Sequence, residues 1–420
     1  MPRTSHTAVL ALGYADRLIV GTTRDVHRAI ARRAFRAAHR VGGRVPERVH
    51  DTISDVAYGG VSLGLRSAGR LIENAVPRGV GPSLDATVGG RHVRSAINGL
   101  VGAELAERAD PHAISMSIRA AGQDVPPNSE PLRSAYPQAS DRIAIFLHGL
   151  GENDDSWRLG ERKHGSTYAS RIARETEHTP VIVRYNTGLN VSSNGAALGE
   201  LIVALVENWP VAVSQIALIG HSMGGLVARA ATNHAVASGA DWPQSVRHVV
   251  CLGTPHLGAP LEKAVHVGAR ALSVFPQSAP FGRILDTRSP GIVDLRHGYI
   301  SQAEWEGQDL TRQWGLDRIA AAPLSHAEYY FVAASLGSTP RSLTGRLLGD
   351  WFVRVPSAVG RGRDSEPVVP SVQIRHVSGA GHFSLLNHPD IASSLVRWLG
   401  KPRAAITQTT TRVRTSRGDS

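Results

Sequence analysis

The apolar run Ile216-Ala217-Leu218-Ile219 breaks into Gly220-His221-Ser222-Met223-Gly224-Gly225 and continues as Leu226-Val227-Ala228-Arg229-Ala230-Ala231. A β-type run, a glycine-flanked serine and a helical run in that order specify a strand, a sharp turn and a helix. Gly220 and Gly224 remove side chains that would strike the neighbouring strand or helix, so the turn can be tight. Ser222 is then raised above the end of the strand, at the N-terminus of a helix whose dipole favours negative charge. A glycine-flanked serine is by itself also an ordinary structural turn. The strand before it, the helix after it and Gly225 extending it favour a nucleophile.

Around this segment short apolar runs alternate with helical stretches, the pattern of a mostly parallel, doubly wound α/β sheet covered on both faces. The runs are Ile143–Leu147, Val181–Val183, Ile216–Ile219, Val246–Leu252, Tyr329–Val332 and Val372–Ile374. The period-2 alternation of Ile114-Ser115-Met116-Ser117-Ile118-Arg119 predicts an early strand. These elements set a catalytic domain at residues 109–400. Residues 259–327 hold far more chain than one loop and helix require, and are expected to form a cap or lid insertion. Residues 1–108 read as a mostly helical N-terminal extension, with helical regions at Thr23–Val41, Ile53–Val76 and Val93–Arg108. Residues 401–420, polar and rich in Thr and Arg, read as a disordered basic tail.

Composition narrows the function classes. The chain has 420 residues, 42% of them hydrophobic, enough for a sizeable core and more than one ordinary domain. Its formal net charge of +11 comes mostly from arginines, many of them in Arg24–Arg48 and in the tail. No helix-turn-helix, zinc-ligand spacing or basic-aromatic interleaving accompanies them, so no specific nucleic acid partner is expected, and an arginine-rich coding bias gives the same excess. The Thr23–Val41 helix surrounds a narrow apolar stripe of Val26, Ile30 and Val41 with arginines, a composition compatible with peripheral binding to an anionic membrane. Packing of that helix against the catalytic domain is an equal alternative. The single cysteine, Cys251, lies in an apolar run and reads as a small buried hydrophobe. With no clear signal peptide or spanning segment, a cytoplasmic or peripheral location is expected.

Three further motifs complete a chemistry around Ser222. Phe146-Leu147-His148-Gly149-Leu150-Gly151-Glu152-Asn153 ends a strand with glycines that let backbone amides face a reacting group. An oxyanion hole built beside a nucleophile turn takes one N–H from the residue after the nucleophile and one from such a loop, here Met223 and Leu150. A serine hydroxyl needs a base, which follows a late strand. Among 19 histidines, His382 in Val377-Ser378-Gly379-Ala380-Gly381-His382-Phe383 fits, whereas His148, His221 and His256 read as structural and His388 as opening the final helix. The orienting acid should lie between serine and histidine in the chain. Asp350 suits that position, with Asp294, Asp317 and Asp364 as competitors.

His148-Gly149-Leu150-Gly151, Gly220 to Arg229, Gly253-Thr254-Pro255-His256-Leu257-Gly258-Ala259-Pro260, Asp350 to Ser357 and Gly381-His382 together resemble bacterial lipases and GPI-inositol-deacylase-like esterases of the α/β-hydrolase superfamily. The resemblance covers roughly residues 110–400. It departs at Trp351, where that family usually has glycine after the acid. It implies an α/β-hydrolase fold and a serine carboxylic ester hydrolase acting through an acyl-enzyme, with a small-molecule or lipid ester as substrate and no metal or organic cofactor. Acyl transfer or thioester hydrolysis on the same triad, or a non-catalytic binding protein on the same fold, are the alternatives.

Overall fold

The computed structural model describes residues 83–259, 289–304, 322–336, 350, 352–361 and 367–400. Among them are eight strands: β1 (Ser117–Ala120), β2 (Gln123–Val125), β3 (Arg142–Leu147), β4 (His178–Arg184), β5 (Gln215–His221), β6 (Val246–Leu252), β7 (Glu328–Ser335) and β8 (Val372–Ser378). They form one sheet in the order β2-β1-β4-β3-β5-β6-β7-β8. β1 runs antiparallel to β2 and β4, and the other pairings are parallel. This is the mostly parallel, helix-flanked sheet of the α/β-hydrolase fold.

Each apolar run of the sequence lies inside one strand; those of β3, β5, β6 and β7 are buried on both faces, whereas Gln373 and Ile374 of the edge strand β8 are exposed. Ile143, Ile145, Ile216, Leu218, Val249, Cys251 and Phe331 point to one side, where they pack with Leu198, Ile202, Leu226 and Val227 of two flanking helices. The intervening residues Ala144, Phe146, Ala217, Ile219, Val250, Leu252, Tyr330 and Val332 point to the other side. The main helices are α1 (Val88–Glu107), α2 (Tyr168–Glu175), α3 (Val191–Asn208), α4 (Met223–Ala237), α5 (Pro290–His297) and α6 (Pro389–Leu399). α3 and α4 cover the first face, while Tyr168 and Ile172 of α2 and Ile391, Leu395 and Trp398 of α6 cover the second. Cys251 is buried in the first core, and burial pushes its thiol up to about 12. It packs as the small hydrophobe that the sequence suggests.

Two local features differ from the sequence reading. The early strand begins at Ser117 and not at Ile114, because the Ile114 amide donates to Asn98 Oδ1 and is not free for the ladder. β2 went unread in the sequence. It is a three-residue, largely exposed strand joined to β1 through Ala121 and Gly122, both at positive φ, and it carries too few apolar residues to show a period.

α1 precedes residue 109 but is bound into the sheet domain. Arg91 makes a two-pronged pair with Asp155, at 2.6 and 2.9 Å. Arg94 pairs with Asp85 at 2.6 Å. Asp85 also lies 3.7 Å from Arg184 on β4, and Arg184 shares Asp124 with Arg119. Asn186 Nδ2 donates to the Gly102 carbonyl, and Ser289 Oγ to that of Gly99. Asn98, fully buried, donates to the carbonyls of Arg94 and His112 and accepts from Ile114. Residues 1–82, with the basic helix expected at Thr23–Val41 and the helical region Ile53–Val76, lie outside the described residues, as do most of the expected cap and the tail. Among the described residues no helix is long and apolar enough to cross a membrane.

Asn98 links α1 to the chain entering β1 by bonds that alanine cannot make. Asn98→Ala leaves the buried Ile114 amide without its acceptor, at about 1–3 kcal/mol, and removes one of the two donors to the His112 carbonyl, which keeps Arg94 Nε at 3.1 Å. The expected outcome is a loss of about 2 kcal/mol or more in urea unfolding. A loss under about 0.5 kcal/mol, the range of an ordinary surface substitution, would contradict this role of α1.

Candidate active site

β5 ends at His221 and α4 begins at Met223, so Ser222 alone makes the turn, with φ 52° and ψ −119°. A non-glycine residue with such a backbone carries about 1–3 kcal/mol of strain and persists only where its surroundings hold it. The surroundings do so closely. A Cβ on Gly224 would lie 2.1 Å from the Leu147 carbonyl oxygen at the end of β3, and one on Gly220 would lie 2.3 Å from the Gly225 nitrogen. The Ser222 amide donates to the Leu252 carbonyl at 2.8 Å, tying the turn to the end of β6.

Asp350 and His382 meet at this end of the sheet. His382 Nδ1 lies 2.8 Å from Asp350 Oδ2, with both side chains buried. The other carboxylate oxygen, Oδ1, accepts from the amides of Phe352 at 3.0 Å and Val353 at 2.7 Å. The main chains are joined as well, by the His382 amide donating to the Asp350 carbonyl at 3.1 Å. Behind His382 the chain is anchored by Tyr168, whose hydroxyl donates to the Leu385 carbonyl and whose amide donates to Asn387 Oδ1. Burial works to lower the His382 pKa, but the charge and hydrogen bond of Asp350, helped by the charge of Glu152, outweigh it and raise the value. The fixed Nδ1–H tautomer leaves Nε2 as the basic nitrogen.

The β3 loop supplies the third side. Gly149 donates to Glu152 Oε2 at 2.7 Å and Gly151 to Thr187 Oγ1 at 3.0 Å, so the amides on both sides of Leu150 are held. His148 stacks on Tyr185 with ring centroids 4.4 Å apart, and its carbonyl accepts from the Tyr185 hydroxyl at 2.5 Å. Leu150, Ser222 and His382 line one pocket together with Glu152, Phe352 and Phe383. Met223, fully buried, is the first residue of α4.

Of the other histidines, two are engaged away from the pocket. His256 stacks on Phe331 at 3.9 Å and meets Arg229 Nη1 at 3.2 Å. His388 caps α6. His221 faces Glu152, a buried carboxylate of the pocket lining that the sequence reading passed over. Its position after Gly151 in the quoted motif was the available signal, but a carboxylate beside a glycine turn is usually solvated. Of the competing acids, Asp294 caps α3 by accepting from the Val191 amide at 2.7 Å, and burial pushes it up to about 7. Asp317, Asp364 and Trp351 lie outside the described residues. Among the described residues no group of three or more His, Cys, Asp or Glu side chains could hold a metal ion.

Residues 198–306 match the family described as the PGAP1-like alpha/beta domain. No curated protein sequence matches the chain. Similar solved structures include the mature form of the Bacillus licheniformis lipase BlEst2, 17% identical with a TM-score of 0.41 over 63% of this chain and 94% of that one. A Pyrococcus furiosus esterase is 16% identical, with a TM-score of 0.36 over 62% of this chain and 82% of that one. The RedJ thioesterase of Streptomyces coelicolor is 17% identical, with a TM-score of 0.38 over 63% of this chain and 92% of that one.

A raised His382 makes a contribution to stability that is fully present below the ordinary value of 6.5 and is lost as pH rises through the raised one. An NMR titration of the histidine ring signals should place His382 above 6.5 and move it down in Asp350→Asn. A His382 signal that ignores the substitution would show that Asp350 does not govern it.

Proposed function

We propose that this chain, an α/β-hydrolase by fold, is a serine ester hydrolase in which Ser222, His382 and Asp350 are nucleophile, base and orienting acid. The observation that carries this reading is the buried 2.8 Å contact of His382 Nδ1 with Asp350, in the pocket that the strained Ser222 also lines. In the first step His382 Nε2 takes the Ser222 hydroxyl proton as Oγ bonds to the ester carbonyl carbon. The negative charge gathers on the carbonyl oxygen, which the amides of Leu150 and Met223 receive, with the N-terminus of α4 adding its dipole. Collapse expels the alkoxide, which leaves as an alcohol with the proton from His382. Water then attacks the acyl-enzyme, gives a proton to the same nitrogen, and the carboxylic acid departs as Ser222 is restored. Asp350 keeps Nδ1 protonated throughout and supports the imidazolium that forms in each half-reaction.

The lining supports a lipidic ester as the substrate class. Beside the reacting groups the pocket presents Leu150, Pro255, Leu295, Phe352, Val353 and Phe383, surfaces that suit the apolar chain of a lipidic ester. Among the described residues of that lining, Glu152 is the one that offers a fixed charge to an acyl group, and it repels an anion.

Labelling by a fluorophosphonate probe and hydrolysis of p-nitrophenyl esters of increasing chain length test the reading. Ser222→Ala should abolish labelling and lower turnover by about a millionfold. Asp350→Asn should lower it by about ten-thousandfold. Turnover should favour medium or long chains over acetate. Ser222→Ala activity within about tenfold of wild type would overturn the nucleophile. An added alcohol or thiol that outcompetes water for the acyl-enzyme would shift the activity to acyl transfer.

A further inference from the structure

Glu152 is buried, lies in the pocket lining and has no part in the proton transfers just described. Its carboxylate reaches three parts of the site at once. Oε2 accepts from the Gly149 amide at 2.7 Å, in the loop that carries Leu150. Both oxygens face His221 Nδ1, at 2.9 and 3.1 Å, on the residue next to Ser222. The far nitrogen of the same ring, Nε2, lies 3.3 Å from the main-chain carbonyl of His382, and the two imidazoles are 4.8 Å apart. Both partners of His221 are acceptors, and the ring spans the gap between the carboxylate and the backbone of His382. A buried ion with this many directed contacts is costly to assemble and is seldom an accident of packing.

We propose that Glu152 is a positioning residue for the catalytic centre, acting through His221 to hold the main chain of His382 while it fixes the oxyanion loop through Gly149. This rests on the triad reading above. Burial works to raise the Glu152 pKa, but His221, the Gly149 amide and His148 more than offset it, and the carboxylate is held below its usual range. Among the described residues the charged groups that bear on His382 are Asp350 and Glu152. One carboxylate holds the imidazole from Nδ1, and the second holds the backbone that carries it.

The test compares wild type, Glu152→Gln, Glu152→Ala and His221→Gln as full chains, following kcat, KM and melting temperature on a p-nitrophenyl ester across pH. Glu152→Gln keeps an acceptor for one donor and removes the charge that helps to raise His382. Its acidic limb of kcat/KM should therefore move to lower pH, a shift that a purely structural role would not produce. Glu152→Ala and His221→Gln should lower kcat by about ten- to hundredfold, the usual cost of losing a group that orients a reacting residue, with KM within about twofold. A folded Glu152→Gln whose limb overlays wild type, with His221→Gln at wild-type kcat, overturns the proposal. If Glu152→Gln does not fold, the kcat of His221→Gln decides. A wild-type chain that a fluorophosphonate does not label removes the triad reading itself, an outcome distinct from active variants that match an active wild type.

Discussion

The turn at Ser222 is the constraint to which the rest of the site is fitted. A serine at φ 52° is held there by backbone on every side: Leu147 at the end of β3, Leu252 at the end of β6 and the first turn of α4. Because α4 approaches the strand ends with no space for a side chain at Gly220 or Gly224, the loop leaving β3 must pass directly beside Ser222. That proximity places Leu150 and Glu152 in the same pocket. The parallel order of β3, β5, β6, β7 and β8 then brings the chain after β7 and after β8 to the same edge, which is where Asp350 and His382 are found. In open α/β sheets the crevice outside the carboxyl ends of the strands is the general place for ligands.

Two buried carboxylates, Glu152 and Asp294, show how surroundings decide charge. Glu152 faces an imidazole and an amide and is held below its usual range. Asp294 is met only by the neutral donors of Val191 and Asn190, with the charge of Glu304 nearby, and burial pushes it up to about 7. Similar burial therefore gives different protonation, because only a cationic or strongly donating partner repays the loss of water.

α1 extends this scaffold beyond the sheet. A Cβ on Gly99 would lie 3.2 Å from the Gly151 Cα, so the helix backbone rests against the loop of Leu150 with nothing between them. The pairing of Arg91 with Asp155 fastens the far side of that loop, and Arg94, Arg119 and Arg184 with Asp85 and Asp124 continue the attachment to β1 and β4. Stacked glycines let backbones approach, and partly buried, two-pronged arginine contacts fix the angle of approach. The helix supports the loop from behind without entering the pocket.

The sequence by itself determined the strand-turn-helix at Ser222 and the positions of the parallel strands. Those features are contiguous, and their signals are the glycines of a tight turn and short apolar runs, most of them buried on both faces. The order of Ser222, Asp350 and His382 was legible for the same reason, since each follows a strand that the pattern marks. Only the tertiary structure decided which acid meets His382. Asp350 and Asp294 look alike as residues in the chain, and a contact across 32 positions leaves no trace in local composition. The partnership of Glu152 with His221 spans 69 positions and was hidden in the same way, as was the docking of α1 on a loop more than fifty residues further along the chain. Hydrophobic period and turn chemistry are written locally. A polar contact exists only once the fold has closed, because its partner is chosen by geometry.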